Sequence, residues 1–135
     1  MIRKTQLLVL IQLVVVLLIW PTQGATATIP EAKPDKGLVV FYRPRKMTGA
    51  AISVNVHHAD GVVGTLRKGT VLRRYLEPGQ HQFWSEVISQ DSIMINVEPG
   101  KVYFVRGETT MGVMVARPKF TQVDDATGRA AVGNL

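Results

Sequence analysis

Cysteine is absent from this chain of 135 residues. Its absence excludes disulfide bonds, thiolate zinc sites, iron–sulfur clusters and cysteine nucleophiles. Heptads and repeats are too few for a fibrous protein. Hydrophobic residues make up 46% of the chain and charged residues 19%. This composition excludes general disorder and indicates a globular protein, and the length suits one small domain.

The usual signatures of catalysis are also missing. None of the serines lies in a Gly-x-Ser-x-Gly or Ser-x-x-Lys sequence. No glycine-rich loop ends in Lys-Ser or Lys-Thr before a helix, so a phosphate-binding loop is not predicted. His81 and Ser85 would lie about 13 Å apart along a strand, too far for proton transfer. We therefore predict no catalytic residues, no cofactor and no enzymatic activity.

Histidines and an aspartate gather near one predicted hairpin, at His57, His58 and Asp60. Adjacent strand residues point to opposite faces, so His57 and His58 are not expected to share a metal ion. Zinc requires three or four ligands. His81 is expected on an inward face beside Phe83, partly buried and hydrogen-bonded. We predict no metal site, and the alternative is a metal-binding or hydrolytic site built from these three histidines and Asp60.

The N-terminus resembles an export signal. Arg3 and Lys4 precede an apolar run over residues 7–20, and small residues follow it. This order predicts a secretory signal peptide over residues 1–24 and a periplasmic or otherwise extracytoplasmic protein. The run is shorter than the roughly 20 residues that span a bilayer. The alternative is an uncleaved anchor that holds the protein at the inner membrane, which would then be its membrane contact.

The rest of the chain is patterned as short strands and turns. Residues 25–36 contain two prolines and are predicted to form a flexible leader. From residue 37 to residue 133, turn signals such as Asp60-Gly61 recur every eight to twelve residues. The spacing predicts an all-β domain, a small antiparallel β-sandwich of about seven to nine short strands. The predicted strands cover residues 38–43, 51–57, 62–67, 70–76, 80–88, 92–97 and 101–107, with weaker candidates at 112–116 and 119–123 and a short helical turn within 125–132.

Positive charge is concentrated in one part of the chain. Between residues 43 and 74, seven basic residues face one acid, so this window carries +6. Such a window can form a patch that attracts an anionic envelope component or an envelope protein. The alternative is a set of solvated edges and turns that discourage aggregation. No aromatic stacking platform accompanies the charge, so nucleic acid is not a predicted partner. The residues are Arg43, Arg45, Lys46, Arg67, Lys68, Arg73 and Arg74.

A segment of low polarity follows the last predicted major strand. Met111, Val113 and Met114 belong to it. As a loop, this segment would expose apolar side chains and could dock a partner. As a core or edge strand, it would be part of the fold.

The order of these features resembles a bacterial secreted family catalogued as domain of unknown function 2846. The resemblance covers roughly residues 37–133 and implies export and a β-rich fold, but no site residues. Members are often lipoproteins, and this chain lacks the cysteine that carries the lipid. We therefore expect an exported, non-enzymatic binding or accessory module, with an anchored structural domain as the alternative. The matching residues are Phe41-Tyr42-Arg43-Pro44, residues 60–66, Gly69-Thr70, residues 78–81, residues 99–106 and Arg117-Pro118.

Overall fold

The computed structural model describes residues 31–45, 52–86, 90–111 and 116–135. Within these ranges lie eight strands and one helix. The predicted signal peptide and the first part of the predicted leader lie outside them. No helix in the described ranges is long and apolar enough to cross a membrane. The elements are β1 (Gly37–Tyr42), β2 (Val54–His58), β3 (Gly61–Leu66), β4 (Val71–Leu76), β5 (Gly79–Glu86), β6 (Gln90–Val97), β7 (Val102–Met111), β8 (Ala116–Val123) and α1 (Asp125–Gly133).

The strands form two four-stranded sheets, which confirms the predicted all-β class. The first sheet has the order β4-β1-β7-β8 and the second the order β3-β2-β5-β6. The prediction of a wholly antiparallel sandwich is wrong, because β1 and β7 pair in parallel, with Leu38 opposite Val102. Turn signals indicate pairing between consecutive strands. They carry no information on a pair that forms across the whole domain.

Strand β1 is buried along its whole length, which explains its unbroken apolar sequence. Val39 and Phe41 point into the core between the two sheets. Leu38, Val40 and Tyr42 point the other way, into a second core against α1 and Ala32. A strand covered on both faces favours a continuous apolar run over alternation. The domain therefore has three layers: the second sheet, the first sheet, and the helix with the end of the leader.

The C-terminal segment forms a full helix, longer than the single predicted turn. Asp124 caps its N-terminus, since the Thr127 N–H donates to Asp124 Oδ1 at 2.8 Å. Val132 is buried against Phe104 of the first sheet. Gly128 lies directly on the Phe104 ring, where a Cβ atom would collide with it. The helix thus covers the sheet face that the apolar residues of β1 expose.

Strand β8 forms one edge of the first sheet, where the sequence predicted a break between two weaker strands. Strand β8 runs through Pro118 without a break, and β7 is its one partner among the described strands. Proline is tolerated there because an edge strand leaves half of its N–H groups outside the ladder. Asp91, predicted in a turn, instead belongs to β6. Its Oδ2 accepts the Phe120 N–H at 2.6 Å and so ties the second sheet to this edge.

Candidate functional site

Arg43, the first residue of the predicted patch, is buried inside the sandwich. Its side chain has 0% exposure. Nη1 donates to the main-chain carbonyls of Ile52 and Leu66, and Nη2 donates to Thr109 Oγ1 at 3.4 Å. Burial lowers the pKa of this guanidinium. The prediction that Arg43 belongs to an exposed patch is therefore wrong, because its hydrogen bonds hold the end of β1 to the two sheets.

Arg45, Arg67 and Lys68 meet at the β3–β4 turn, and we name these three residues the turn cluster. The Gly69 N–H donates to the Arg43 carbonyl at 2.9 Å, which draws the chain after β1 against the turn. Gly69 has a φ of +75°, and a Cβ atom at this position would lie 3.2 Å from Cγ of the Arg45 side chain. All three side chains of the turn cluster are exposed. The structure thus joins residues that are more than 20 positions apart in the sequence.

The other predicted patch residues lie elsewhere. Arg73 and Arg74 stand on opposite faces of edge strand β4, as an adjacent pair must. Arg73 is exposed, and Arg74 Nη2 lies 3.8 Å from Asp60 Oδ2. Lys46 lies outside the described residues. The alternative docking segment is also outside them, apart from Met111, which ends β7.

The turn cluster has no carboxylate partner in the described ranges, unlike five other basic residues there. In residues 31–45, 52–86, 90–111 and 116–135, no carboxylate lies within 4 Å of the three cations or of Arg73. On the opposite edge, the same holds for Arg117 and Lys119 of β8. The positive potential at the turn is therefore not neutralised locally. The paired cations are Lys36 with Glu77, Arg74 with Asp60, Lys101 with Glu98, Arg106 with Glu108 and Arg129 with Asp125.

A shallow recess of about 340 Å³ opens beside the turn cluster. Its lining is mostly apolar and comes from the segment after β1 and from the end of α1. Arg45 contributes the charge on its rim. The volume is at the lower end of the range of small-molecule sites. The lining residues are Pro44, Arg45, Ala131, Asn134 and Leu135.

A second candidate site is a chain of histidines at the edge of the sandwich. His58 Nε2 lies 2.9 Å from His81 Nδ1, and His81 Nε2 lies 2.7 Å from the Glu77 carbonyl oxygen. A carbonyl only accepts, so His81 Nε2 carries the proton. With both rings neutral, His81 Nδ1 then accepts from His58 Nε2–H, and His58 Nδ1 accepts the Asp60 N–H at 3.4 Å. Hydrogen bonding therefore sets the neutral tautomer of each ring, and His58 Nδ1, which lies 3.3 Å from Asp60 Oδ2, can donate to this carboxylate only after it gains a proton.

His58 is almost fully buried, and its ring lies 5.0 Å from the Phe83 ring. Burial lowers its pKa against the opposing effect of Asp60, and electrostatic interactions with His81 and Arg74 act in the same direction as burial. His57 lies on the other face of the sheet, as predicted for adjacent residues. Within the described residues, no three histidine or carboxylate side chains are arranged as a metal site. His58, His81 and the Asp60 main chain thus form one hydrogen-bonded chain, and His57 lies outside it.

Comparison with known proteins places the chain in a family. A model described as a protein of unknown function, DUF2846, matches residues 33–119. The chain is a member of the DUF2846 family. The match spans β1 to the first part of β8 and confirms the resemblance found in the sequence.

One curated relative is described as an uncharacterized protein of Haemophilus influenzae. It is 27% identical over 126 residues, which cover 83% of this chain and 75% of the relative. No solved structure matches the chain. The comparisons therefore establish the family of this DUF2846 protein, and its activity has to be inferred from the site.

Two features were missed at the level of sequence. The recess joins residues 44–45 to the end of the chain, and no sequence signal links these segments. The His58–His81 contact joins residues 23 positions apart. The inward position predicted for His81 was the available signal, since it placed this ring on the face that His58 also occupies.

Proposed function

We propose that this DUF2846 protein is an exported, non-enzymatic binding or accessory module that docks an anionic component of the cell envelope at the turn cluster. The observation that carries the proposal is the meeting of Arg45, Arg67 and Lys68 at one exposed turn with no carboxylate within 4 Å in the described ranges. Charge-assisted contacts to phosphate or carboxylate are roughly twice as strong as neutral hydrogen bonds. The signal peptide predicted over residues 1–24 supports a periplasmic or otherwise extracytoplasmic location.

The backbone of this site is held before any ligand arrives. The Gly69 N–H donates to the Arg43 carbonyl, and the Arg43 N–H donates to the Thr70 carbonyl at 3.1 Å. The buried Arg43 side chain fixes the same segment from inside. A fixed backbone reduces the entropy lost on binding. The held backbone therefore favours a ligand-binding role for the turn cluster over the alternative of a solvated turn that discourages aggregation.

The recess beside Arg45 favours one kind of anion. Its apolar lining adjoins the cations, so a ligand can place a charged group on the turn cluster and an apolar part in the recess. An anionic phospholipid has this chemistry, and we propose it as the ligand. The alternative of an anchored structural domain rests on the apolar run over residues 7–20, which could hold the module at the same membrane surface.

Binding of the full chain to vesicles tests the proposal. We compare the triple variant Arg45→Gln, Arg67→Gln, Lys68→Gln with a control variant, Lys101→Gln, Arg117→Gln, Lys119→Gln, which loses the same charge elsewhere. The probes are phosphatidylcholine vesicles with and without phosphatidylglycerol. Each basic residue near an anionic surface contributes about 1 kcal/mol, so the triple variant should bind roughly a hundredfold more weakly to the anionic vesicles.

The two variants keep the N-terminal apolar run, so its contribution to vesicle binding cancels in the comparison. Binding by the turn cluster should also weaken between about 0.1 M and 1 M salt, as the screening length falls from roughly 10 to 3 Å. Equal binding by both variants would reject the turn cluster as the lipid site. If the original chain cross-links to an envelope protein and the triple variant alone loses this cross-link, the anionic ligand of the turn cluster is an acidic protein surface.

A further inference from the structure

The outward face of the second sheet contains almost no charge, although the chain has 16 basic and 10 acidic residues. We call it the outer face. Its single charged side chain is Glu86, at one end. The other residues are small, amide-bearing, aromatic or aliphatic. By strand alternation and pairing, the outer face comprises Asn55, His57, Val62, Thr65, Gln80, Gln82, Trp84, Glu86, Gln90, Ser92, Met94 and Asn96.

A narrow apolar stripe crosses this face. Val62 is paired with His57, and His57 is paired with Trp84. Met94 stands diagonally from Trp84, next to its partner Ser92, within reach of a large ring. Val62 and Met94 are 61% and 55% exposed, the exposed large hydrophobic residues of the described chain. The stripe spans four strands, about 14 Å at the usual strand spacing.

Two rings lie at the centre of the stripe with much of their faces free of each other. The His57 and Trp84 planes differ by 14°, and their centroids are 5.9 Å apart. At this separation, parallel rings are offset sideways and overlap little. Ser92, the partner of Trp84 on the side away from His57, has a small side chain. Trp84 and His57 are both half-buried, so part of the indole is accessible to solvent beside the exposed Ser92.

Amides and hydroxyls lie on both sides of the stripe. Gln82, Asn96 and Gln80 are exposed on β5 and β6. On β2 and β3, the Thr65 hydroxyl donates to Asn55 Oδ1 at 2.8 Å. This bond fixes the orientation of the Asn55 amide, and its NH₂ group is available to an acceptor. Each amide offers both donors and acceptors. A ligand rich in hydroxyl groups matches this mixture.

We propose that the outer face binds an uncharged glycan, with sugar rings packed on Trp84 and His57. One face of a sugar ring consists of C–H groups, which carry partial positive charge and are attracted to the electron-rich face of an aromatic ring. The hydroxyl rim of the sugar then meets the amides beside the stripe. The scarcity of charge on the outer face favours a neutral ligand, because a charged one would lose hydration without gaining an ion pair. Protein interfaces differ in having a contiguous apolar core.

The glycan site is independent of the turn cluster. The test uses the full chain carrying Trp20→Phe, in which Trp84 is the remaining one of the two tryptophans. The probes are soluble β-linked oligomers of glucose and of N-acetylglucosamine. Binding of either should shift Trp84 fluorescence. Trp84→Ala should weaken binding by roughly tenfold or more, measured by calorimetry.

A second variant protects the test against misfolding of Trp84→Ala. Ser92→Lys changes an exposed position, leaves the indole intact and places a long cation beside it, so binding should also be lost. The triple variant of the turn cluster should bind the oligomers normally, which separates failure of this proposal from failure of the lipid proposal. Absence of binding at millimolar oligomer, or binding that survives both substitutions, overturns the glycan site. Self-association abolished by Ser92→Lys would assign the outer face to a second copy and overturn it as well.

Discussion

At the scale of the residue, neighbouring arginines in this protein have opposite roles. Arg43 is buried and donates to the main-chain carbonyls of Ile52, before β2, and Leu66, at the end of β3, whereas Arg45 is exposed at the turn cluster. Arg73 faces solvent, and Arg74 reaches Asp60. The count of charges in the sequence could show that this part of the chain is basic. It could not show which side chains reach solvent, because side-chain direction depends on strand pairing.

His58 is expected to make the stability of the protein depend on pH. Burial lowers its pKa in the folded state, and in the unfolded chain the value returns to about 6.5. The unfolded state therefore binds more protons as the pH falls through 6.5. The contribution of His58 to the free energy of unfolding is complete above pH 6.5, and it is lost as the pH falls from 6.5 toward the pKa of the folded state. The groups facing the ring are Asp60, Arg74 and His81.

Urea unfolding between pH 8 and pH 5 measures this dependence. One histidine contributes a slope of at most about 1.4 kcal/mol per pH unit. His58→Phe should remove that part of the slope, since the phenyl ring cannot take a proton. His57→Phe, on the outer face, serves as the matched control for loss of an imidazole, and the difference between the two variants isolates the part of the slope due to His58. An identical slope for His58→Phe and the original chain would show that this ring does not titrate on unfolding.

At the scale of the element, helix α1 depends on one close contact. A Cβ atom on Gly128 would collide with the ring of Phe104, which is buried and cannot move away. We expect Gly128→Ala to destabilise the protein by about 1–3 kcal/mol, the usual cost of overpacking a core. The gain in helix propensity from alanine, at most about 1 kcal/mol, offsets only part of this.

Gly133→Ala provides a matched comparison on the same helix. Apart from its chain neighbours and the adjacent helix backbone, no described atom lies within 4 Å of the position of its Cβ. This substitution should be neutral or slightly stabilising, because alanine restricts the unfolded chain. The free energy of unfolding of both variants, from urea titration, decides the point. Equal stability of the two variants would mean that α1 does not pack on Phe104 as closely as described.

The elements also show where patterns in the sequence were sufficient. Ile93, Ile95 and Val97 alternate along the predicted strand 92–97, and they share one inward face of β6. The Asp60-Gly61 signal correctly marked the β2–β3 turn, where Gly61 has a φ of +124°. The break expected at Pro118 was wrong, because the cost of proline depends on whether the strand is at an edge. That position is a property of the whole sheet.

At the scale of the whole molecule, β1 joins the two hydrophobic cores. Val39 and Phe41 serve the core between the sheets, and Leu38 and Val40 serve the core under α1. Loss of either core exposes half of the same strand. We therefore expect one cooperative unfolding transition for the domain.

Two probes, one local and one of the whole domain, test this cooperativity. In the Trp20→Phe chain, fluorescence reports Trp84 on the second sheet, and far-ultraviolet circular dichroism reports both sheets and α1. The two urea transitions should coincide. A dichroism change that precedes the fluorescence change would show that the helical layer unfolds first and that β1 does not couple the cores.

The sequence by itself determined the all-β class, the approximate number of strands, most turns and the family resemblance, because these follow from local alternation, turn chemistry and the order of short signals. The tertiary structure alone decided the parallel pairing of β1 with β7, the burial of Arg43, the meeting of Arg45 with Arg67 and Lys68, and the grouping of Trp84 with the other residues of the outer face. Each of these joins residues far apart in the chain. Their proximity arises from the packing of two sheets, and no local pattern encodes it.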